Sequence, residues 1–507
     1  MEPFFSLLPF SGRGKLVKKS LMHSDRQQMD RKRIYLVGIC GTGMAALAGL
    51  LKEQGHEVTG SDTGFYPPMS EVISSLGIRT YMGWDPANVK DAAPDLVIIG
   101  NVVRADNPEA RYVIEKAIPY TSFPEALGRF YLAGKRPLVA AGTHGKTTTS
   151  TMLVAALEGC GHDPGFLIGG VPIGKGRGFH CGDSSWFVIE GDEYDTAFFD
   201  KVSKFMHYRP FGVVLTSMEF DHADIFPDFQ AVKAAFKGLA GIIPEDGLLA
   251  ACKDWPDVME AAAAARCPVV TYGLGTDAHW RAEDIVTHEG GADFTAIFRG
   301  RETGRFSIAL PGRHNVLNAL GVIALLHGLG LDLEGIKRGL SACRGVKRRQ
   351  EVRGQAAGVM VIDDFAHHPT AVNETLSALR QQYPKRRLIA IFEPRTNTSR
   401  RAVFQERYAR AFDHADLVLV REVPDPEKAP EGDRFSSRRL VKDLRERGMA
   451  AEYFKDAKAI VDYLAEEARP GDLCAVLSNG PFEGIHQKIL DRLSDRQPED
   501  KGEQAGP

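Results

Sequence analysis

The stretch Ala140-Ala141-Gly142-Thr143-His144-Gly145-Lys146-Thr147-Thr148-Thr149 decides how this chain is read. The residues leading into it, Arg136-Pro137-Leu138-Val139-Ala140-Ala141, read as a buried strand. Those after it, Ser150-Thr151-Met152-Leu153-Val154-Ala155-Ala156-Leu157, read as a helix. A glycine loop and Lys-Thr between strand and helix is the arrangement that cradles phosphates. Backbone N–H groups and the helix N-terminus face the anion, the lysine reaches the β- and γ-phosphates, and the threonine hydroxyl holds Mg²⁺. The G-x-x-x-x-G-K-[ST] pattern would place glycine at 140, where this chain has alanine. A plain strand-to-helix turn is the alternative, and the flanking strand and helix favour nucleotide binding.

Outward from this loop, short apolar runs alternate with helical patterns, which implies α/β architecture with doubly wound parallel sheets. Arg33-Ile34-Tyr35-Leu36-Val37-Gly38 opens the series, followed by Glu57–Asp62 and Asp95–Gly100. The first loop reads Gly38-x-x-Gly41-x-Gly43, with Cys40 at the middle glycine of G-x-G-x-x-G. NAD is the default ligand of such a loop. The departure, together with a separate phosphate loop downstream, favours another phosphorylated ligand. Further strands are expected at 185–190, 212–216, 247–251 and 305–310, and in a last unit at 359–363, 387–392, 417–420 and 473–478. The 507 residues exceed a single core, and three domains are expected: 33–134, 135–344 and 345–493. A basic extension (1–32) and a polar tail (494–507) are expected to be disordered, and Met22 and Met29 leave room for a later start.

A net charge of -3 gives no push toward nucleic acid or membrane, and no apolar run reaches the roughly 18 residues of a membrane span. Seven scattered cysteines without a Cys-x-x-Cys pair suit a reducing cytoplasm and argue against a disulfide scaffold or zinc ribbon. Acidic clusters follow two central strands: Glu190-Gly191-Asp192-Glu193 and Glu219-Phe220-Asp221-His222. Carboxylates at strand ends suit Mg²⁺, and the alternative for His222 is a turn histidine. In Asp363-Asp364-Phe365-Ala366-His367-His368-Pro369, neighbouring histidines on an extended segment face opposite ways, which argues against a two-histidine chelate.

Taken in order, Gly-Thr-His-Gly-Lys-Thr-Thr, Glu-Gly-Asp-Glu, Phe-Asp-His, Gly312-Arg313-His314-Asn315-x-x-Asn318 and Asp363 to Pro369 resemble the Mur ligases of peptidoglycan synthesis. The resemblance covers about residues 33–492, and the motifs follow the family's order. The opening Gly38 to Met44 is similar to the branch that uses UDP-N-acetylmuramic acid itself. Within that branch, Asp192–Asp200, Ser203–Pro210, Glu393-Pro394-Arg395-Thr396-Asn397-Thr398 and Ser478–His486 resemble the recycling members. Those join UDP-N-acetylmuramic acid to L-alanyl-γ-D-glutamyl-meso-diaminopimelate. Members that add free L-alanine, the runner-up, typically carry Gln-Pro-His in place of Glu393-Pro394-Arg395 and a Gly-Ala-Gly-type ending in place of Ser478-Asn479-Gly480.

The resemblance implies three domains: a Rossmann-like UDP-binding domain, a P-loop ATPase domain and a Rossmann-like third domain. It implies an ATP- and Mg²⁺-dependent, ADP-forming ligase acting through an acyl phosphate, with no protein nucleophile. It also implies a cytoplasmic monomer or weak homo-oligomer. Gly142, Thr143, His144, Gly145, Lys146, Thr147 and Thr148 would hold ATP phosphates; Thr147 and Glu190 would hold Mg²⁺, and His222 a second metal. His314, Asn315 and Asn318 would form the adenine pocket, with helix capping as the alternative. From the third domain, Asp364 would contact ATP, Arg348 (with Arg349) would serve the same cleft, with solvated arginines near a linker as the alternative, and His367 would approach the reacting phosphate. Lys146, Glu190, His222 and His367 would be the catalytic set. Gly38, Gly41, Gly43 and Met44 would meet the UDP diphosphate and Asp62 its rim, unless Asp62 only ends a strand. Arg395 and Asn397 would take a peptide carboxylate, with Ser478, Asn479 and Phe482 lining that pocket or forming an ordinary loop. Some family members use a carbamylated lysine. Lys233 and Lys237 lie near that region, but the branch this chain resembles lacks the modification. A nucleotide-switch protein and a folate-polyglutamate ligase are disfavoured by the full motif set and by the first loop. Closure of the third domain about Gly345 is expected.

Overall fold

The computed structural model describes residues 31–65, 69–223 and 225–495, and most of the expected disordered extension and tail lies outside them. Three α/β domains follow one another. The first carries a five-stranded, all-parallel sheet in the order Arg79–Met82, Glu57–Asp62, Arg33–Val37, Leu96–Ile99, Tyr120–Ser122. The chain leaves the central strand Arg33–Val37 and enters the helix Thr42–Glu53 through the glycine loop. The reversal of strand order beside Arg33–Val37 opens the crevice where doubly wound sheets bind ligands.

The central sheet has ten strands. Arg136–Ala141 lies inside it, between the parallel strands Gly212–Leu215 and Trp186–Gly191. From Leu138 to Ala141 every side chain is fully buried, as expected of a strand covered on both faces. Ala140 still pairs with Glu190 and Val214 inside the sheet, so the turn begins only at Gly142. An alanine where the common pattern has glycine therefore meets no conformational demand. One end of this sheet is an antiparallel meander, Trp280–His288, Gly291–Phe298 and Arg301–Ile308. The third sheet runs Glu351–Ala356, Val359–Asp364, Leu473–Leu477, Leu388–Phe392, Leu417–Arg421, Ala451–Phe454, with only the first strand antiparallel.

Four of the strands that sequence reading passed over share a trait. Arg79–Met82, Phe179–His180, Glu351–Ala356 and Ala451–Phe454 lie at sheet edges or carry several half-exposed residues, so no continuous apolar run marks them.

The cores explain which parts move together. One continuous apolar cluster runs from Ile34, Leu47 and Phe130 of the first domain into Phe187, Phe236 and Leu249 of the central domain. The third domain keeps its own two clusters, around Tyr408 and Leu477 on one face of its sheet and Ile391 and Ile485 on the other.

The phosphate-loop helix Lys146–Gly159 is held from behind by the helix Leu333–Ala342. The two meet glycine to glycine: a Cβ on Gly339 would stand 2.5 Å from the Ala156 Cα and run into the Ala155 carbonyl. Backbone cannot yield there as a side-chain tip can. Gly339→Ala should therefore destabilise the protein by about 1–3 kcal/mol. A denaturant midpoint equal to that of the unsubstituted protein would show that the helices separate freely.

Candidate active site

The phosphate loop is stitched to the segment after the strand Gly212–Leu215. The Thr143 amide donates to the Ser217 carbonyl at 3.1 Å and the His144 amide to Ser217 Oγ at 2.9 Å. Gly142 and Gly145 adopt φ of +132° and +83°, and a Cβ on Gly145 would stand 2.6 Å from Asn318 Oδ1. Glycine is thus required both for the backbone and for the close approach of Asn318. No side chain caps the helix Lys146–Gly159 and no acid sits in its first turn, so its first N–H groups are left for an anion.

Lys146 folds back over the loop, donating to the Gly142 carbonyl and to Glu193 Oε2, each at 2.9 Å. Burial works against the ammonium charge, but Glu193 and Asp192 outweigh it and raise its proton affinity. Thr147 Oγ1 donates to Glu190 Oε2 at 3.0 Å, while Glu190 Oε1 accepts from the Gly169 amide. Burial and the neighbouring Asp192 carboxylate push the Glu190 carboxyl above its usual range. A cation beside Glu190 would relieve this. The two hard oxygens, 3.0 Å apart, have the separation of adjacent ligands around Mg²⁺ at about 2.1 Å, so the pair fits that ion.

His222, held at φ +51°, presents Nε2 3.4 Å from Glu193 Oε1. Glu193, fully buried, therefore joins the lysine to this histidine. Sequence reading saw it only as part of an acidic cluster, because nothing along the chain says which of three nearby acids turns inward. From the third domain, Thr398 Oγ1 donates to Asp221 Oδ1 at 2.9 Å, and the charge of Asp221 also acts on His367. Burial lowers the His367 proton affinity, with Asp221 opposing. Asp221, His222 and His367 thus face one another across the domain boundary.

Beside the loop lies a cavity of about 330 Å³, within the range of small-molecule sites. His144, Gly145, Thr147 and Thr148 line it from the loop, His314, Asn315 and Asn318 from the helix Arg313–Gly328, and Asp364 from the third domain. Asp364 accepts from the Gln350 and Ala366 amides, and burial raises its carboxyl against the pull of Arg349.

Several expected residues serve other ends. Arg348 does not line the cavity: it donates to the carbonyls of Ser478 and Gly480 at 2.7 and 2.8 Å and pairs with Asp363 at 3.3 Å. Of the two adjacent arginines, Arg349 is the one that lines it, together with Arg313 of the central domain. The chain enters the third domain with positive φ at Gly345, Arg348 and Gln350, which turns the two arginines different ways. Ser478 is buried and donates to the equally buried Glu393, and Phe482 is a core residue. Both are therefore part of the third domain's interior rather than of a peptide pocket. Arg395 lies half-buried against Gly480, with exposed Asn397 nearby in sequence and half-buried Asn479 on the facing loop.

In the first domain, Gly38, at φ +84°, and Gly41 form the turn, and a Cβ on Gly43 would stand 3.4 Å from the Phe123 ring. The side chain of Met44 is buried in the core, so Met44 offers a ligand only its backbone. Asp62 is spent on the chain itself, accepting from the Cys40 and Thr63 amides at 2.9 and 2.8 Å. Gly41 caps the helix Thr42–Glu53 without a side-chain bond, which leaves that N-terminus open as well. Lys233 and Lys237 form ion pairs with Glu260.

Family models match all three domains: the Mur ligase family catalytic domain over residues 33–134, the Mur ligase middle domain over 140–326 and the Mur ligase glutamate ligase domain over 348–480. The chain belongs to the Mur ligase family. UDP-N-acetylmuramate–L-alanyl-gamma-D-glutamyl-meso-2,6-diaminoheptandioate ligase of Escherichia coli (strain K12) is 41% identical over 466 residues, 91% of this chain and 98% of that one. UDP-N-acetylmuramate–L-alanine ligase of Caldanaerobacter subterraneus subsp. tengcongensis is 34% identical over 461 residues, 91% of this chain and 97% of that one. The crystal structure of a murein peptide ligase from Psychrobacter arcticus has a TM-score of 0.70 at 34% identity, over 92% of this chain and 99% of that one. As a Mur ligase, the chain is an ATP-dependent, ADP-forming amide ligase. Among the described residues, no helix is long and apolar enough to cross a membrane.

His368 caps the helix Pro369–Gln382 by accepting from the Thr370 amide, and it packs against His144 with ring centroids 4.7 Å apart. Burial and the charge of His144 lower its pKa from 6.5 to about 3. The unfolded chain thus binds a proton that the folded chain refuses, and acidification through that interval favours unfolding. His368→Asn keeps a capping side chain and removes the titration. Denaturation at pH 7 and pH 5 should show the variant losing less stability than the unsubstituted protein, by up to about 1.4 kcal/mol per pH unit. Equal losses would mean that water reaches His368 in the folded protein.

Proposed function

We propose that this protein joins the lactoyl carboxylate of UDP-N-acetylmuramic acid to the free amine of L-alanyl-γ-D-glutamyl-meso-diaminopimelate, with ATP cleaved to ADP and phosphate. For the acceptor, the observation that carries the reading is the 41% identity to the Escherichia coli tripeptide ligase across 98% of that enzyme. In the first step a carboxylate oxygen attacks the γ-phosphorus and ADP leaves. In the second, the amine attacks the acyl carbon, phosphate leaves and the amine proton is released. The reaction takes place in the cytoplasm, in keeping with seven free cysteines, and the enzyme acts as a monomer or weak homo-oligomer.

In this reading Lys146 leaves Glu193 for the β- and γ-phosphates, which the amides of Gly142 to Thr148 also hold. Thr147 and Glu190 would hold Mg²⁺, and His222 would hold a second cation. Bound there, Mg²⁺ supplies charge neutralisation on the phosphate oxygens. Asn318, with His314 and Asn315, takes the adenine, and Arg349 and Asp364 close over the nucleotide from the third domain. His367, kept neutral at pH 7 by burial, can orient the reacting phosphate without adding charge. Gly38, Gly41 and Gly43 and the open helix N-terminus receive the UDP diphosphate, with Asp62 bracing that loop. Catalysis then rests on positioning and electrostatics.

Ligation of UDP-N-acetylmuramic acid should be measured with the tripeptide and with free L-alanine. A higher kcat/KM for the tripeptide is expected, and a preference for alanine would move the protein to the alanine-adding branch. Arg395 and Asn397 are the proposed anchors for a tripeptide carboxylate, with Asn479 facing them. Arg395→Ala should raise the KM for tripeptide about ten- to hundredfold, the worth of a charged hydrogen bond, and leave the KM for ATP in place. A parallel rise for all three substrates would make Arg395 a packing residue.

A further inference from the structure

Glu219 stands outside the groups assigned above, yet both moving parts of the enzyme converge on it. Its backbone is tied to the phosphate loop: the Glu219 amide donates to Thr143 Oγ1 at 2.9 Å, and that hydroxyl lies 3.2 Å from the Glu219 carbonyl. Its carboxylate is divided between domains. Oε2 lies 2.8 Å from Nε2 of His144, on the loop itself. Oε1 accepts from Arg407 Nη2 at 2.6 Å, and Arg407 belongs to the third-domain helix Gln405–Ala411. The same guanidinium donates to Thr370 Oγ1 at 3.2 Å, in the first turn of the helix Pro369–Gln382, and His368 Nδ1 lies 3.7 Å from Oε2. The Glu219 side chain is 13% exposed. Undocking of the third domain would strip a nearly buried carboxylate of its arginine and leave it to His144 alone.

We propose that Glu219 and Arg407 are positioning residues for ligation: the carboxylate couples the phosphate loop to the third domain, so that the loop takes its working geometry only when that domain is docked. The coupling rests on the reading of this cleft as the ligase site. Neither residue lines the nucleotide cavity, so each acts through another group, Glu219 through His144 and Thr143, and Arg407 through Glu219. Although burial opposes it, hydrogen bonds from His144 and Thr370 hold the Glu219 carboxyl well below its usual range, which favours the carboxylate form that Arg407 pairs with. His144, Glu219 and His368 also have the donor atoms of a metal site, all within 4.8 Å. A dication there would face the Arg407 guanidinium already on the same carboxylate, and the fixed charge favours ion pairing over metal.

Arg407 is half-exposed on its helix, so its replacement spares the core. In the full chain, Arg407→Ala should lower kcat about tenfold with the KM values for ATP and UDP-N-acetylmuramic acid little changed. Arg407→Lys, which keeps a point charge, should recover part of the loss. Solution scattering with a non-hydrolysable ATP analogue plus UDP-N-acetylmuramic acid should show Arg407→Ala more expanded than the unsubstituted protein, at an unchanged melting temperature. Full kcat with a compact profile, or a lysine variant no better than alanine, would overturn the coupling. Scattering needs no acceptor: an Arg407-dependent compaction in a protein that does not ligate the tripeptide would leave the coupling standing and refute the acceptor.

Discussion

A buried ammonium among carboxylates is the constraint around which this enzyme is arranged. Lys146 must carry its charge just beyond the end of a central strand, where it is buried, and Glu190, at the end of the neighbouring strand, with Asp192 and Glu193 just after it, meets it there. Those carboxylates repel one another, and Glu190 already shows the strain in its raised proton affinity. Two cations hold the group together: Lys146 on Glu193 and Lys204 on Asp192 at 3.1 Å. On the function proposed above, such a balance would suit a polyphosphate with its metal: the phosphate would take the lysine and the cation the carboxylates, so that neither charge would be left unpaired in a low-dielectric pocket.

The distribution of apolar surface sets what can move. The first and central domains share one core, so separating them would expose a large hydrophobic face. The third domain has cores of its own, with Phe220 of the central domain packed against one of them, and hydrogen bonds and ion pairs tie it to the central domain, among them Thr398 with Asp221 and Arg407 with Glu219. Polar contacts of this kind can be exchanged for water at modest cost. The glycine loops after Arg33–Val37 and Arg136–Ala141 are therefore fixed relative to each other, while the third domain is the part able to open. Gly345, between the two, bonds through its carbonyl to the Ile173 amide, and it adopts φ +84° before the strained pair Arg348 and Gln350.

The sequence by itself determined the fold class, the family and the phosphate loop, because each rests on local rules. Buried parallel strands write themselves as apolar runs such as Leu138–Ala141. A loop at positive φ needs Gly142 and Gly145, and an anion site needs Lys146 and Thr147 in fixed order after it. Which acid pairs with the lysine, which of Arg348 and Arg349 enters the cavity and which of two adjacent histidines faces His222 could be decided only by the tertiary structure. Those choices depend on how separate strands end beside one another. Glu193 turns inward because Lys146 and His222 lie there; Arg348 turns away because the carbonyls of Ser478 and Gly480 lie there. Ser478 and Phe482 looked like pocket residues because a loop follows their strand, yet burial beside Glu393 and Arg421 made them part of the interior. Local spacing carries the backbone's demands, whereas partners distant along the chain are set by packing, which a single sequence does not display.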